Sequence, residues 1–381
     1  MNPGATPEVD DDAAEQLPLD MVDFGDGLVL EKGEFSDTVA AIIKTHGNTV
    51  VSSGTTIRTF KHIRTGIFTL DFALGGGIPE GLCTMIYGWA SSGKTTITLR
   101  IIAQALKKYP RHKAVFVDVE GTFDPEWAEI HGIDMARLIL ITPSSGEQAA
   151  DIAISAVKAL DICIVAVDSV AMLTPMKEMD KSIEDPTVAG ASQLIARFLR
   201  KISQTMIDER SRGHWPTLVL LNQWRTKIGV THGDPRVLPG GNILTYAAAV
   251  KIEMKNKEIS SKTENISQVV EHNEHAFTIH KNKVINGPRQ GEFLMVRSPS
   301  NPLGVGYIDE MKTVVTVARN FGLVTGGGTK WRLEGVEEAF PNLMGIYNFL
   351  VENEETVGEP LRIKLIKLQR GRMGKLMEGW E

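Results

Sequence analysis

Residues 88–95 read GWASSGKT and follow directly on the apolar run CTMIY at 83–87. The octamer has the spacing GxxxxGK[ST], in which a strand delivers a glycine-rich turn to the start of a helix. Gly88 and Gly93 free the backbone to turn its N–H groups around phosphate oxygens, with Ser91 and Ser92 between them, and the following helix aims the positive end of its dipole at the same point. Lys94 is then set to reach the β- and γ-phosphates and Thr95 to hold Mg2+, and Thr96 completes the nucleotide-facing set. The expected ligands are a nucleoside triphosphate and Mg2+.

Outward from this loop, strand-like runs alternate with helical ones. CTMIY is followed by TTITLRIIAQALKKY, KAVFVDV, a helix near PEWAEIHG, LILIT, a helix over GEQAADIAISAVKAL, and DICIVAVDS. Leu99, Ile102, Ala103 and Leu106 recur at i, i+3, i+4, i+7 in the helix after the loop. The strands are almost continuously apolar, as they must be where helices cover both faces of a sheet. The pattern predicts an α/β fold with a mostly parallel central sheet. TLVLLNQ at 217–223 extends it, and the runs at 247–254 and 275–284 suggest a hairpin around a polar stretch.

Carboxylates end two of these strands. Asp168 emerges from DICIVAVDS at the carboxyl edge beside the phosphate loop, where open α/β sheets bind ligands, and is the candidate second metal-site residue. Asp118 and Glu120 end KAVFVDVEG near the same edge. Glu120 lies further out, where it could polarise an attacking water; a plain surface carboxylate is the alternative.

The chain has 381 residues, 42% hydrophobic and 23% charged, enough to bury a substantial core. Its net charge of −6 is unevenly spread: residues 1–35 carry ten carboxylates against Lys32 alone, which leaves the remainder at +3. Residues 361–381 hold six basic and two acidic residues. Such a tail can contact phosphates or be solvated surface. Cys83 and Cys163 sit in apolar runs without metal-ligand spacing and read as buried thiols of a reducing compartment. No run approaches the roughly 18 apolar residues of a membrane span, and residues 1–12 lack a signal-peptide pattern, so a cytoplasmic location and no membrane partner are expected. Four segments follow: an acidic leader at 1–33, disordered or loosely docked; a helix and linker at 34–62, with Ser36 or Asp37 as N-cap and Gly47 as stop; a core at 63–303; and a small α+β domain with a basic tail at 304–381.

The segments TGIFTLDFALGGGIPEG, YGWASSGKTT, VFVDVEGTFDPEWAEIHGID, TPSSGEQA, VAVDSVAMLTP, LNQWRTKIGV, GGN and KNKV, in this order, resemble the RecA family of homologous-recombination ATPases. The resemblance runs from about residue 34 to at least 321 and is similar to a divergent, phage-type member. It implies a RecA-type core and a DNA-dependent ATPase that forms a helical filament on single-stranded DNA, pairs it with duplex DNA and exchanges strands. It also implies single-strand-binding and loader proteins as partners. By position, Glu120 matches the catalytic glutamate, Asp168 the Walker B aspartate with Ser169 beside it, and Gln223 the γ-phosphate-sensing glutamine. Asp124 and Trp127 match the adenine-contacting pair, with tryptophan where tyrosine is common. Lys281 and Lys283 match lysines that reach the ATP of the neighbouring protomer, which would put ATP at a protomer interface.

Two Gly-, Pro- and charge-rich stretches, about 176–190 and 224–242, have the composition of surface loops. In the family these positions are the two DNA-binding loops. Arg225 and Lys227 would neutralise phosphates and Ile228 would wedge between bases, with Gly229, Gly240, Gly241 and Asn242 completing the second loop and Arg200 contributing from the helix after the first. His232 stands where phenylalanine is common and Gln193 where an arginine aligns. A basic C-terminus and an acidic leader invert the family's usual acidic tail, so the leader is expected to compete with DNA. A hexameric helicase with the same core, and a DNA-binding filament protein that uses ATP structurally, remain as alternatives.

Overall fold

The computed structural model describes residues 20–24, 28–46, 60–179, 190–226, 233–264 and 267–373. The chain divides into two units, residues 1–58 and 59–381.

In the first unit, β1 (Met21–Asp23) pairs antiparallel with β2 (Val29–Glu31), and α1 (Glu34–His46) follows. The leader is therefore not featureless throughout: Met21, Val22, Val29 and Leu30 supply strand-forming side chains in a stretch beyond the last leader proline. Helix α1 starts at Glu34, ahead of both expected caps. Ser36 is inside it, its hydroxyl accepting from the Gly33 N–H at 2.9 Å and donating to the Gly33 carbonyl at 2.8 Å. Val39 is buried, whereas Phe35 is 70% exposed. The expected stop, Gly47, is outside the described residues.

In the second unit, β3 (His62–Ile63) pairs with β4 (Ile78–Pro79) around α2 (Phe68–Leu74). The alternation read from the sequence then follows: β5 (Cys83–Gly88), α3 (Lys94–Lys108), β6 (Lys113–Asp118), α4 (Pro125–Ile130), β7 (Leu138–Ile141), α5 (Gly146–Ala156) and β8 (Ile162–Asp168). Next come α6 (Met176–Met179), α7 (Gly190–Ser211), β9 (Thr217–Gln223), β10 (Arg225–Thr226), β11 (Arg236–Val237) and α8 (Gly241–Ala247). The sheet is completed by β12 (Val250–Glu264), β13 (Ser267–Asn282), β14 (Gln290–Val296) and β15 (Ile308–Asp309). Its order is β15-β14-β13-β12-β5-β9-β8-β6-β7, parallel from β12 to β7 and antiparallel from β12 to β15.

Strand residues alternate between two cores. Ile86, Phe116, Ala166 and Val219 pack with the Leu99–Ile102–Leu106 face of α3, while Met85, Val115, Val165 and Leu220 pack with α5 and α7. Both faces are apolar because both are covered, which is why the strands read as unbroken apolar runs. The hairpin differs from expectation at both ends. β12 starts at Val250, after α8, and its pairing with β13 continues through the polar stretch to Glu264↔Ser267, because backbone pairing in an antiparallel ladder does not require an apolar face.

Beyond the sheet, α9 (Met311–Asn320), β16 (Val324–Gly327), β17 (Lys330–Leu333), β18 (Ala339–Phe340), α10 (Leu343–Glu352) and α11 (Glu359–Met373) enclose a third cluster around Val314, Leu350 and Leu365. This region is α+β, as expected, and Phe68 of α2 is part of its core. Among the described residues no helix is long and apolar enough to cross a membrane.

Candidate nucleotide site and nucleic-acid interface

Parallel register brings the carboxyl ends of β5, β9, β8 and β6 to one edge: Gly88 pairs with Gln223 and Asp118 with Asp168. The phosphate loop leaves from Gly88, and its glycines are dictated by space. A Cβ on Gly88 would lie 2.3 Å from the Met254 carbonyl oxygen, and one on Gly93, where φ is +90°, would lie 2.7 Å from His275 Nδ1. Ser91 also takes positive φ. The tight turn leaves Lys94 buried at the head of α3, its Nζ donating to the Trp89 carbonyl at 2.8 Å. Burial lowers the ammonium pKa against the opposing pull of Asp168 and Glu120.

Thr95 Oγ1 donates to Asp168 Oδ2 at 2.7 Å, so the two expected metal-site residues are already in contact. Burial raises the Asp168 carboxyl to about 6, helped by Glu120 and Asp118 and opposed by the Thr95 hydrogen bond and Lys94. Among the described residues no group of three or more His, Cys, Asp and Glu side chains gathers as a metal cage. One carboxylate and one hydroxyl are hard oxygen donors of the kind that suit Mg2+, which takes its remaining ligands from phosphate and water.

Asp118, expected near the sheet edge with Glu120, serves the turn that follows β6. Its carboxylate accepts the N–H groups of Gly121, Thr122 and Phe123 at 2.9, 3.3 and 2.9 Å, closing the turn after β6. That turn carries Glu120 across to β8 and β9. There Glu120 Oε1 accepts from Ser169 Oγ at 2.6 Å and from Gln223 Nε2 at 2.7 Å. Three residues chosen from separate strand ends thus meet on one oxygen.

The two residues expected on the base side belong to α4 and its cap. Asp124 caps it, accepting the Trp127 N–H at 3.0 Å, and the Trp127 indole donates to Thr96 Oγ1 at 3.1 Å. The ring meets His131 edge-on at 4.5 Å, and the Arg297 guanidinium lies 5.1 Å from its centroid. A cavity of about 370 Å³ runs along the phosphate loop, lined also by Asn273, His275 and Arg297. Sequence reasoning missed this wall, which comes from β13 and the end of β14. His275 is buried, stacked on Phe293 at 5.2 Å and 3.3 Å from the Ser92 carbonyl, and burial lowers its pKa. The only sequence signal was alternation: positions 273, 275 and 277 share a strand face.

The remaining expected residues fall into groups. Lys281 Nζ donates to the carbonyls of Thr245 and, at 2.6 Å, Ala248 at the end of α8, while Lys283 is exposed just past β13. Arg200 is exposed on α7. Arg225 is exposed and donates through Nη2 to the Ala171 carbonyl at 2.8 Å, tying the start of the second loop to the turn after β8 that precedes the first. Gly240, at φ +88°, and Gly241 open α8, where Asn242 is the second residue. Lys227, Ile228 and Gly229 lie outside the described residues, as do 180–189 of the first loop.

A glycine cradle at a helix head, opposed by a strand-end carboxylate at the edge of a parallel sheet, defines a phosphate-loop nucleotide-binding protein. A glutamine on the adjacent strand, reaching the same glutamate as the serine after that carboxylate, narrows the class further. The model of the RecA N-terminal domain matches residues 34–298. Protein RecA of Thioalkalivibrio sulfidiphilus (strain HL-EbGR7) is 35% identical over 311 residues, 81% of this chain and 85% of the relative. Protein RecA of Synechococcus sp. (strain WH7803) is 34% identical over 306 residues, 80% of this chain and 75% of the relative. The chain belongs to the RecA family: it is a DNA-binding, filament-forming, DNA-dependent ATPase of recombination and repair that exchanges strands.

Proposed function

We propose that the chain hydrolyses ATP with Glu120 as general base, and that the observation carrying this reading is the shared Glu120 oxygen. Ser169 and Gln223 both donate to Oε1, which orients the carboxylate toward the phosphate-loop edge. Lys94 reaches the β- and γ-phosphates, Gly88 to Thr96 wrap them, and Thr95 with Asp168 holds Mg2+, which when bound neutralises phosphate charge. Trp127, held by Thr96, stacks on adenine, with Asp124 beside it. Gln223 sits where the γ-phosphate is sensed, and its neighbour Trp224 begins the second DNA loop. Residues 176–190 and 224–242 are read as the DNA-binding loops. Lys281 and Lys283 are read as trans contacts to the neighbouring protomer's ATP.

Two surfaces support head-to-tail assembly. Strand β7 is one edge of the sheet among the described residues, with Ile139 and Leu140 38% and 42% exposed, and Tyr246 near Lys283 is 74% exposed. These patches are unlike one another, as a heterologous filament contact requires. The exposed Phe35 side of α1 is the proposed occupant of the β7 edge on the next copy. Single-strand-binding and loader proteins are the proposed partners, and the cytoplasm the proposed compartment.

ATP turnover measured with and without single-stranded DNA tests the reading, with electron microscopy of protein, DNA and a non-hydrolysable ATP analogue beside it. The expected result is DNA-stimulated turnover and helical filaments. Turnover indifferent to DNA, or closed rings, would overturn it.

A further inference from the structure

The second loop leaves and rejoins the fold at side chains that meet on a single buried carboxylate. Glu253 of β12 is 6% exposed. Its Oε1 accepts from the Trp224 indole N–H at 3.1 Å and from Arg236 Nη1 at 3.4 Å, and its Oε2 lies 2.8 Å from His280 Nε2. Trp224 is the first residue after β9, and Arg236 starts the returning strand β11, which pairs with β10 through Arg225↔Val237 and Thr226↔Arg236. The Arg236 guanidinium also lies 5.1 Å from the Trp224 ring centroid, and Asp234 holds it from the other side at 2.8 Å. Tyr87 of β5 meets Trp224 edge-on at 5.2 Å. Burial pushes the Glu253 carboxyl up, but hydrogen bonds from His280 and Trp224, with Lys255 nearby, bring it below the ordinary glutamate range.

This cluster is joined to the nucleotide site by the backbone. The Trp224 N–H donates to the carbonyl of Gly88, the first residue of the phosphate loop, at 3.2 Å. The preceding residue is Gln223, whose amide holds Glu120. Trp224 therefore has its main chain on the phosphate loop and its side chain on Glu253, while Glu253 also holds the returning end of the loop. Removing one partner of a buried charged group leaves the others uncompensated, so the arrangement holds as a unit.

We propose that Glu253 is a positioning residue that couples the nucleotide site to the second DNA loop by holding its outgoing Trp224 and its returning Arg236 on one carboxylate. The proposal rests on the reading of residues 224–242 as a DNA loop and Gln223 as the γ-phosphate sensor. Glu253 is not among the residues that line the phosphate-loop cavity. It fixes the frame in which a change at Gln223 becomes a change at both ends of the loop.

Two variants of the full chain test it. Glu253→Gln keeps shape and an acceptor for Trp224 but removes the charge that pairs with Arg236, and Glu253→Asp keeps the charge but draws the carboxylate back by about 1.5 Å from both Trp224 and Arg236. ATP turnover is measured without DNA and across a titration of single-stranded DNA, together with affinity for a fluorescent ATP analogue and the melting temperature. Turnover without DNA and analogue affinity should stay within about twofold of the parent protein, while the DNA concentration for half-maximal stimulation rises roughly tenfold, the scale of one charge-assisted hydrogen bond. Unchanged stimulation in both folded variants overturns the proposal. So does a parallel loss of analogue affinity, which would make Glu253 a support of the nucleotide pocket. Should Glu253→Gln melt early, Glu253→Asp decides alone. A parent protein that DNA does not stimulate would instead sink the functional reading, and this inference with it; the parent assay by itself separates the two failures.

Discussion

Glu120→Gln separates the proposed chemistry from the geometry that supports it. Glu120 Oε1 accepts two hydrogen bonds, 2.6 Å from Ser169 Oγ and 2.7 Å from Gln223 Nε2. A glutamine carbonyl oxygen in the same place can accept both, so the sheet edge and the bound nucleotide should keep their positions. What weakens is the charge-assisted part of each bond, about 1 kcal/mol in each case, so nucleotide affinity should fall by no more than a few-fold. What is lost outright is a group able to take a proton from water. General-base catalysis contributes roughly 10²–10⁴-fold, or about 2.7–5.5 kcal/mol of barrier, and kcat should fall by that factor. Steady-state phosphate release at saturating ATP and single-stranded DNA, paired with titration of a fluorescent ATP analogue, reads the two effects separately. A kcat within about threefold of the parent would refute the assignment of Glu120 as base. Equal losses of kcat and affinity would assign it to structure. Glu120→Asp sharpens the test, because drawing the carboxylate back by one carbon–carbon bond, about 1.5 Å, takes it beyond hydrogen-bond reach of both donors while leaving it basic. Its kcat should lie between the other two.

Gly93→Ala should lower nucleotide affinity roughly tenfold, because positive φ costs about 1–2 kcal/mol for a residue with a Cβ and the added carbon meets His275 2.7 Å away; calorimetric titration showing unchanged affinity would remove the steric argument. Acid should destabilise the fold through two buried imidazoles, His62, lowered by burial, Arg370 and Lys108 to about 3, and His131, lowered by burial, Arg100 and Arg297 to about 4. Both are neutral in the fold and take a proton on unfolding below the ordinary value of 6.5, so their stability is full above that pH and is lost as pH falls toward 4, by up to about 1.4 kcal/mol per pH unit for each. Urea midpoints of His62→Leu across that range should show a shallower pH slope than the parent; an equal slope excludes His62 as a source. Glu310→Gln should cost about 1.5–3 kcal/mol in urea unfolding, since buried Glu310 accepts from Phe68 N, Thr69 N and Thr69 Oγ1 at 2.6, 2.8 and 2.7 Å, and an amide nitrogen facing one of these donors cannot accept. A change below about 0.5 kcal/mol would count against a capping role for Glu310.

Most of the sheet was legible because its signals are local. Gly88–Lys94 is a contiguous motif, and Asp168 and Gln223 each end an apolar run, so their arrival at one edge follows once the strands are parallel. Non-local register hid the rest. His275 reads as one polar position in an alternating strand, and only the placement of β13 beside β12 sets it against Gly93. Glu253 sits within AAAVKIEM, where alternation marks it as solvent-facing. It is buried because Trp224, Arg236 and His280 come from three other segments to cover it. Helix α1 starts earlier than a Ser36 cap allows for a related reason: a Ser at a helix start suggests a cap, yet Ser36 bonds back to Gly33 from within the first turn.

The position of Lys281 changes what a trans contact would mean. Its ammonium is engaged by the Thr245 and Ala248 carbonyls at the end of α8, the helix opened by Gly240 and Gly241 at the close of the second loop. Burial, Lys283 and Lys251 all lower its pKa, so it sits in a locally cationic place that favours a nearby anion. If Lys281 turns to a neighbour's triphosphate, as proposed, it must give up or share those carbonyls, and the end of α8 must respond. The outgoing end of the loop then answers to its own protomer's nucleotide through Gln223 and Trp224, and the returning end answers to the neighbour's through α8 and Lys281. A DNA loop held in this way reaches one defined position only when both nucleotides are in place. Cooperativity along a filament would follow from this double attachment, with no need for a separate allosteric element.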